Sequence, residues 1–194
     1  MAQSLERLAL EARSCALCAA DLPLGPRPVF QVDERARVLI AAQAPGTKVH
    51  ASGRPFTDAS GDRLRDWMGI DAETFYDASQ VAILPIGFCY PGCGKSGDLP
   101  PRKECAVEWR QRFIDRLANV QMTLVIGQYA MAWHLQDRKQ RNLTETVKNW
   151  SAYGPEIFPL PHPSPRNNIW LKKNPWFNHD LQPDLRKGVR STLA

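Results

Sequence analysis

Residues 37–46 read Arg-Val-Leu-Ile-Ala-Ala-Gln-Ala-Pro-Gly, an unbroken aliphatic run that ends on a polar turn stiffened by Pro45. A strand with one face in water alternates apolar and polar side chains. One buried on both faces of a parallel sheet is apolar throughout. Arg37 to Ala42 is of the second kind, and Val81 to Phe88, Met122 to Ile126 and the weaker Glu156 to Leu160 repeat it. Helical stretches lie between these runs. Leu64, Trp67 and Met68 share one face over Ser60 to Met68, and Val107, Phe113, Ile114 and Leu117 are expected to share one over Arg102 to Leu117. Further helices are expected at Leu5 to Leu17, Tyr129 to Leu135, Leu143 to Trp150 and Pro175 to Arg186, the last with proline where a first turn tolerates it. The alternation predicts a three-layer α/β/α sandwich around a short, mainly parallel four-stranded sheet, with residues 1–194 forming one domain.

In such sheets ligands gather beyond the carboxyl ends of the strands. That rule selects Gln43-Ala44-Pro45-Gly46 after the first strand and His162-Pro163-Ser164-Pro165-Arg166 after the last.

Composition narrows the class of protein. With 43% hydrophobic residues in 194, the chain has material for a real core. Its first residues, Met1 to Arg13, lack a signal-peptide run and no later stretch approaches a bilayer span, so a soluble, cytoplasmic protein is expected. A net charge of +5 suits a polyanionic partner. Basic residues crowd at Arg138 to Arg141 and from Arg166 to Lys173, interleaved with Trp170 and Trp176. Phosphate and base contacts would use such a mixture, and so would a solvated surface with its tryptophans anchored in the core. Gly94-Lys95-Ser96 does not make a phosphate loop, because Cys89 stands where that loop needs glycine and prolines come after it instead of a helix start.

Residues 42–62, AQAPGTKVHASGRPFTDASGD, resemble the first motif of the uracil-DNA glycosylase superfamily, particularly its thermophile-type families with GEAPG or GLAPA followed by GRPF. Residues 162–167, HPSPRN, resemble the second motif. The matches reach from Cys15 to Trp176 but are dense only in these blocks. The resemblance implies an enzyme that flips uracil or a related damaged base out of DNA and hydrolyses its N-glycosidic bond, initiating base excision repair. A damaged-DNA binding module without hydrolysis is the alternative.

The resemblance also implies roles. Phe56 stacks on the flipped base, with Gln43 and Ala44 beside it. His162 donates to the departing base, where negative charge develops. Ala44 replaces the Asp of the commonest family, and Asp58 takes up the work of ordering water or steadying the sugar cation; its alternative is an N-cap for the next helix. His50 is a further candidate donor. Ser164, Arg166 and Asn167 face DNA, Arg166 standing where the family carries a leucine-like wedge. Pro85 occupies the place of a uracil-reading Asn, which leaves room for other damaged bases.

Five cysteines, an odd number, argue against a disulfide framework in a reducing compartment. Cys15 and Cys18 form C-x2-C, and Cys89 and Cys105 stand sixteen positions apart. The thermophile-type families hold a 4Fe-4S cluster on similar spacing, so the resemblance implies a structural cluster on these four, with Cys93 spare. Four thiolates would also satisfy zinc, and zinc or no metal remain alternatives.

Overall fold

The computed structural model describes residues 3–95 and 97–194; Met1, Ala2 and Ser96, the last in the Gly94-Lys95-Ser96 run, lie outside the described residues. Four strands form its centre: β1 (Val38–Ala41), β2 (Val81–Ile83), β5 (Met122–Ile126) and β6 (Ile157–Leu160). They make a fully parallel sheet in the order β2-β1-β5-β6. A two-stranded antiparallel hairpin, β3 (Cys93–Gly94) and β4 (Gly97–Asp98), stands apart from it. The helices are α1 (Leu5–Arg13), α2 (Thr47–Ser52), α3 (Ala59–Met68), α4 (Ala72–Tyr76), α5 (Lys103–Cys105), α6 (Gln111–Ile114), α7 (Gly127–Leu135), α8 (Leu143–Lys148), α9 (Asn168–Lys173) and α10 (Gln182–Leu193). None is long and apolar enough to cross a membrane.

Both faces of the sheet are covered, which is why its strands are apolar throughout. Val38 and Ile40 of β1 pack in a cluster with Leu64, Trp67 and Met68 of α3 and with Leu185 and Val189 of α10. Leu39, between them in sequence, points to the opposite layer and meets Leu8 of α1 and Phe113 of α6. The period of two thus feeds both faces. Each such side chain, fully buried, contributes about 1.5–3 kcal/mol.

One predicted helical face holds at Phe113, Ile114 and Leu117 but not at Val107. Between α5 and α6 the chain makes a π-helical turn, Ala106–Arg110, which adds a residue to the turn and rotates the helix beyond it. Val107 consequently faces solvent, 86% exposed, while Trp109, Arg110, Phe113 and Leu117 go inward. A buried arginine leaves no mark in an apolar periodicity. Val81 to Phe88 also ends as a strand at Ile83, although Leu84 and Ile86 still donate backbone hydrogen bonds to Ile40 and Ala42 at 2.9 and 2.8 Å. The α10 region begins as a second π-helical turn, Phe177–Leu181, and the helix runs on to Leu193.

Candidate active site and cysteine cavity

The loops after β1 and β6 meet at the carboxyl edge of the sheet and enclose a cavity of about 360 Å³. Ala44, Phe56, Asp58, His162, Ser164 and Arg166 line it. Gln43, His50 and Asn167, expected beside them, do not. Gln43 is used through its backbone, its carbonyl accepting from Gly87 N–H at 3.0 Å. His50 lies in the last turn of α2 with its ring 6.3 Å from that of Tyr90 and Nδ1 buried without a partner. Asn167 is a brace, its Nδ2 donating to the carbonyl of His162 at 2.7 Å.

Phe56 has a backbone outside the usual regions, with φ at +54°. Left-handed backbone in a bulky residue is uncommon and needs holding. Its carbonyl accepts from Tyr76 Oη at 3.0 Å and from Arg65 Nη1 at 3.4 Å, and its ring meets Phe75 edge to face. Gly61 allows the arrangement, since a Cβ there would lie 1.8 Å from the Phe56 carbonyl oxygen. The SGD after RPFTDA is therefore part of the device that places the ring on the cavity wall.

Asp58 is a helix cap that also lines the cavity. Its Oδ1 accepts from Ser60 and Gly61 N–H at 3.1 and 3.2 Å as the N-cap of α3, while the residue lines the cavity. His162 is fixed in one tautomer: Ser164 N–H donates to its Nδ1 at 3.2 Å, which leaves the ring proton on Nε2. Burial lowers its pKa below the usual histidine range, against the opposing pull of Asp58 and Asp98, so the ring is neutral at neutral pH and carries an N–H to give.

Two features escaped sequence reasoning. Asp98, on the two-residue strand β4, puts a second carboxylate on the cavity wall, and a strand that short leaves no periodic trace. Arg63 of α3 ties the two motifs together through Nη1 to Ser164 O at 3.0 Å and Nη2 to Asn168 Oδ1 at 2.7 Å. Arg166 is exposed but lies against the hairpin, where a Cβ on Gly97 would stand 2.5 Å from Nη1. Trp170 and Trp176 are half-buried against the core, Trp170 donating to Thr144 Oγ1 at 2.8 Å, so they anchor the basic segment.

On the other side of the Leu84–Phe88 run, Cys15, Cys18, Cys89 and Cys105 line one small cavity of about 20 Å³, and Cys93 stands exposed outside it. Trp109 Nε1 donates to Cys15 Sγ and Phe88 N–H to Cys105 Sγ, both at 3.3 Å. Burial pushes the Cys89 and Cys105 thiols up, to about 11 and about 12. Among the described residues no three His, Cys, Asp or Glu side chains are grouped so as to hold one metal ion.

A parallel sheet whose carboxyl edge carries an aromatic in strained backbone, a carboxylate and a neutral imidazole donor has the parts of a base-excising hydrolase. The model of the uracil DNA glycosylase superfamily matches residues 29–186, and the chain belongs to that superfamily. The family makes it a DNA glycosylase, a hydrolase whose substrate is DNA.

Proposed function

We propose that this protein removes uracil from DNA by hydrolysing the N-glycosidic bond, without a lysine nucleophile, as the first step of base excision repair in the cytoplasm. The observation that carries the reading is the neutral Nε2–H tautomer of His162 on the same cavity wall as the Asp58 carboxylate. The departing base gathers negative charge on its oxygen, and a preorganised N–H donor favours that state over the ground state. The sugar left behind becomes cationic, and Asp58, with one oxygen engaged as a cap, has the other to steady it or to order water. Phe56 covers the face of the extruded base. Asp58 on the wall restores the carboxylate that Ala44 removes, which favours catalysis over a binding-only module. Pro85 lines the cavity with no side-chain donor or acceptor, a wall that accommodates related deaminated bases.

A uracil oligonucleotide incubated with the protein should yield an alkali-labile abasic site, with the thymine control intact. Uncut uracil DNA that is nevertheless bound would refute the hydrolytic reading.

We also propose that Cys15, Cys18, Cys89 and Cys105 hold a structural 4Fe-4S cluster. Support comes from the shared cavity and from the N–H donors aimed at two of the sulfurs. Thiols this hard to ionise become ligands only when a metal's charge stabilises the thiolate. Four thiolates would equally satisfy one tetrahedral zinc, and the resemblance to the thermophile-type families favours the cluster. The cluster would brace the fold, since base hydrolysis moves no electron. Protein prepared without oxygen should be brown and carry about four irons, and Cys93→Ser should leave both unchanged. A colourless, iron-free preparation would overturn the assignment.

A further inference from the structure

The run from Ile83 to Cys89 belongs to two cavities. Ile83 and Pro85 line the base cavity, and Gly87, Phe88 and Cys89 line the cysteine cavity. Between them the chain is pinned by Arg110, whose Nη1 donates to the carbonyls of Leu84 and Pro85 at 2.9 and 3.0 Å. Arg110 is 0% exposed. Its Nη2 donates to His134 Nε2, its Cζ lies 4.8 Å from the Trp133 ring centroid, and its Nε has no partner. Burial pushes the guanidinium down to about 9, which leaves it charged at neutral pH. His134 is pushed down to about 3, by burial first and then by Arg110, so it stays neutral and accepts.

Among the described residues no carboxylate forms an ion pair with Arg110. A buried cation without a counter-charge is strongly unfavourable. Cys105 stands one π-helical turn before it, at the start of the Ala106–Arg110 turn and on the wall of the cysteine cavity. Thiolates holding a metal cluster would supply the missing negative charge.

We propose that Arg110 is a positioning residue that couples the two cavities: thiolates of the loaded cysteine site balance its charge, and its guanidinium fixes the Leu84 and Pro85 carbonyls and hence the Pro85 wall of the base cavity. The inference rests on the cluster assigned above. It explains why a full charge is buried behind an uncharged proline, and it gives a structural cluster a route to the base pocket that needs no electron transfer.

Two substitutions separate charge from geometry. Arg110→Lys keeps the charge and loses the fork, whereas Arg110→Gln loses the charge and keeps a donor. Iron content of the anaerobic wild type is measured first, and its absence would overturn the cluster and this inference together. With iron present, Arg110→Gln should surrender it to a chelator about tenfold faster than wild type, and Arg110→Lys within about threefold of wild type. Equal release from wild type and Arg110→Gln would overturn the charge coupling alone, whether or not uracil is cut. Single-turnover rates on uracil DNA should fall about tenfold in both variants with DNA affinity kept within about twofold, and unchanged rates would overturn the positioning role. Should Arg110→Gln fail to fold, amide exchange in wild type decides the matter. The Leu84, Ile86 and Gly87 amides should exchange about tenfold faster after iron is stripped, and equal exchange would overturn the coupling.

Discussion

Asp58→Asn separates the two uses of one carboxylate. Asn retains an oxygen that can accept from Ser60 and Gly61 N–H as Oδ1 does now, and it caps helices about as well as Asp. The melting temperature should therefore stay within about 1–2 °C of wild type, because a few tenths of a kcal/mol in a domain of this size move it by no more. The charge is lost, however. A carboxylate about 6 Å from a developing sugar cation, at the effective dielectric near 20 that suits a half-buried site, contributes about 2.8 kcal/mol. That corresponds to about a hundredfold in rate. Single-turnover cleavage of a uracil oligonucleotide, read as alkali-labile product, gives the rate free of product release. Asp58→Ala is the companion: it loses the cap as well, about 1 kcal/mol or 2–4 °C, with a similar loss of rate. An Asn variant that cuts at the wild-type rate would refute the catalytic role and leave Asp58 a helix cap alone.

Other perturbations probe the remaining parts. His162→Ala should slow single-turnover cleavage by about a hundredfold or more with DNA affinity nearly unchanged. Because the folded pKa of His162 is lowered, the acid limb of the wild-type rate should fall below pH 6.5, and the same burial should cost stability as pH drops below about 6.5, where the unfolded ring takes a proton that the folded ring resists. A limb above pH 6.5 that His162→Ala abolishes would contradict the buried neutral ring. Gly61→Ala drives a methyl into the Phe56 carbonyl, so uracil cleavage should collapse and thermal stability fall by several degrees; a normal melt with normal cleavage would show that the strained Phe56 backbone is dispensable. If Arg166, Lys172 and Lys173 each neutralise one phosphate, affinity should drop about fortyfold between 50 and 200 mM salt, and Arg166→Ala should reduce the logarithmic salt slope by about 0.9. A flat salt response would remove the phosphate-led interface.

The sheet could be read from the chain because burial on both faces writes itself as uninterrupted aliphatic runs, and β5 was bounded to the residue. The two motif loops were legible for the same reason, since strand ends locate the crevice. What the sequence hid was structure made by single contacts. Arg110 is a core residue of the wrong chemical type, and the π-helical turn before it moved Val107 outward against the predicted face. Asp98 arrives on a hairpin of two residues a side, too short for any period. His50 and Gln43 sit in the motif by sequence yet do not line the cavity: the His50 ring lies 6.3 Å from that of Tyr90, and the Gln43 carbonyl accepts from Gly87 N–H. Motif membership fixes the backbone path more firmly than it fixes which residues line the cavity.

Strand order explains why motifs more than a hundred residues apart act on one bond. From β1 the chain first crosses to β2 on one side and later to β5 and β6 on the other, so the connections diverge at the seam between β1 and β5. Such a reversal leaves the crevice beyond the strand ends uncovered. The loop with Ala44 issues from β1 and the loop with His162 from β6, two strand spacings away, or about 10 Å. On the proposed reading a pyrimidine and its sugar would lie across that gap, with the imidazole at the base end and Asp58, the N-cap of α3, at the sugar end. Opposite charges develop at the two ends of a breaking glycosidic bond, and the proposed reading gives each a group of complementary character: an N–H donor kept neutral by burial, and a carboxylate on the cavity wall with one oxygen committed to the helix cap.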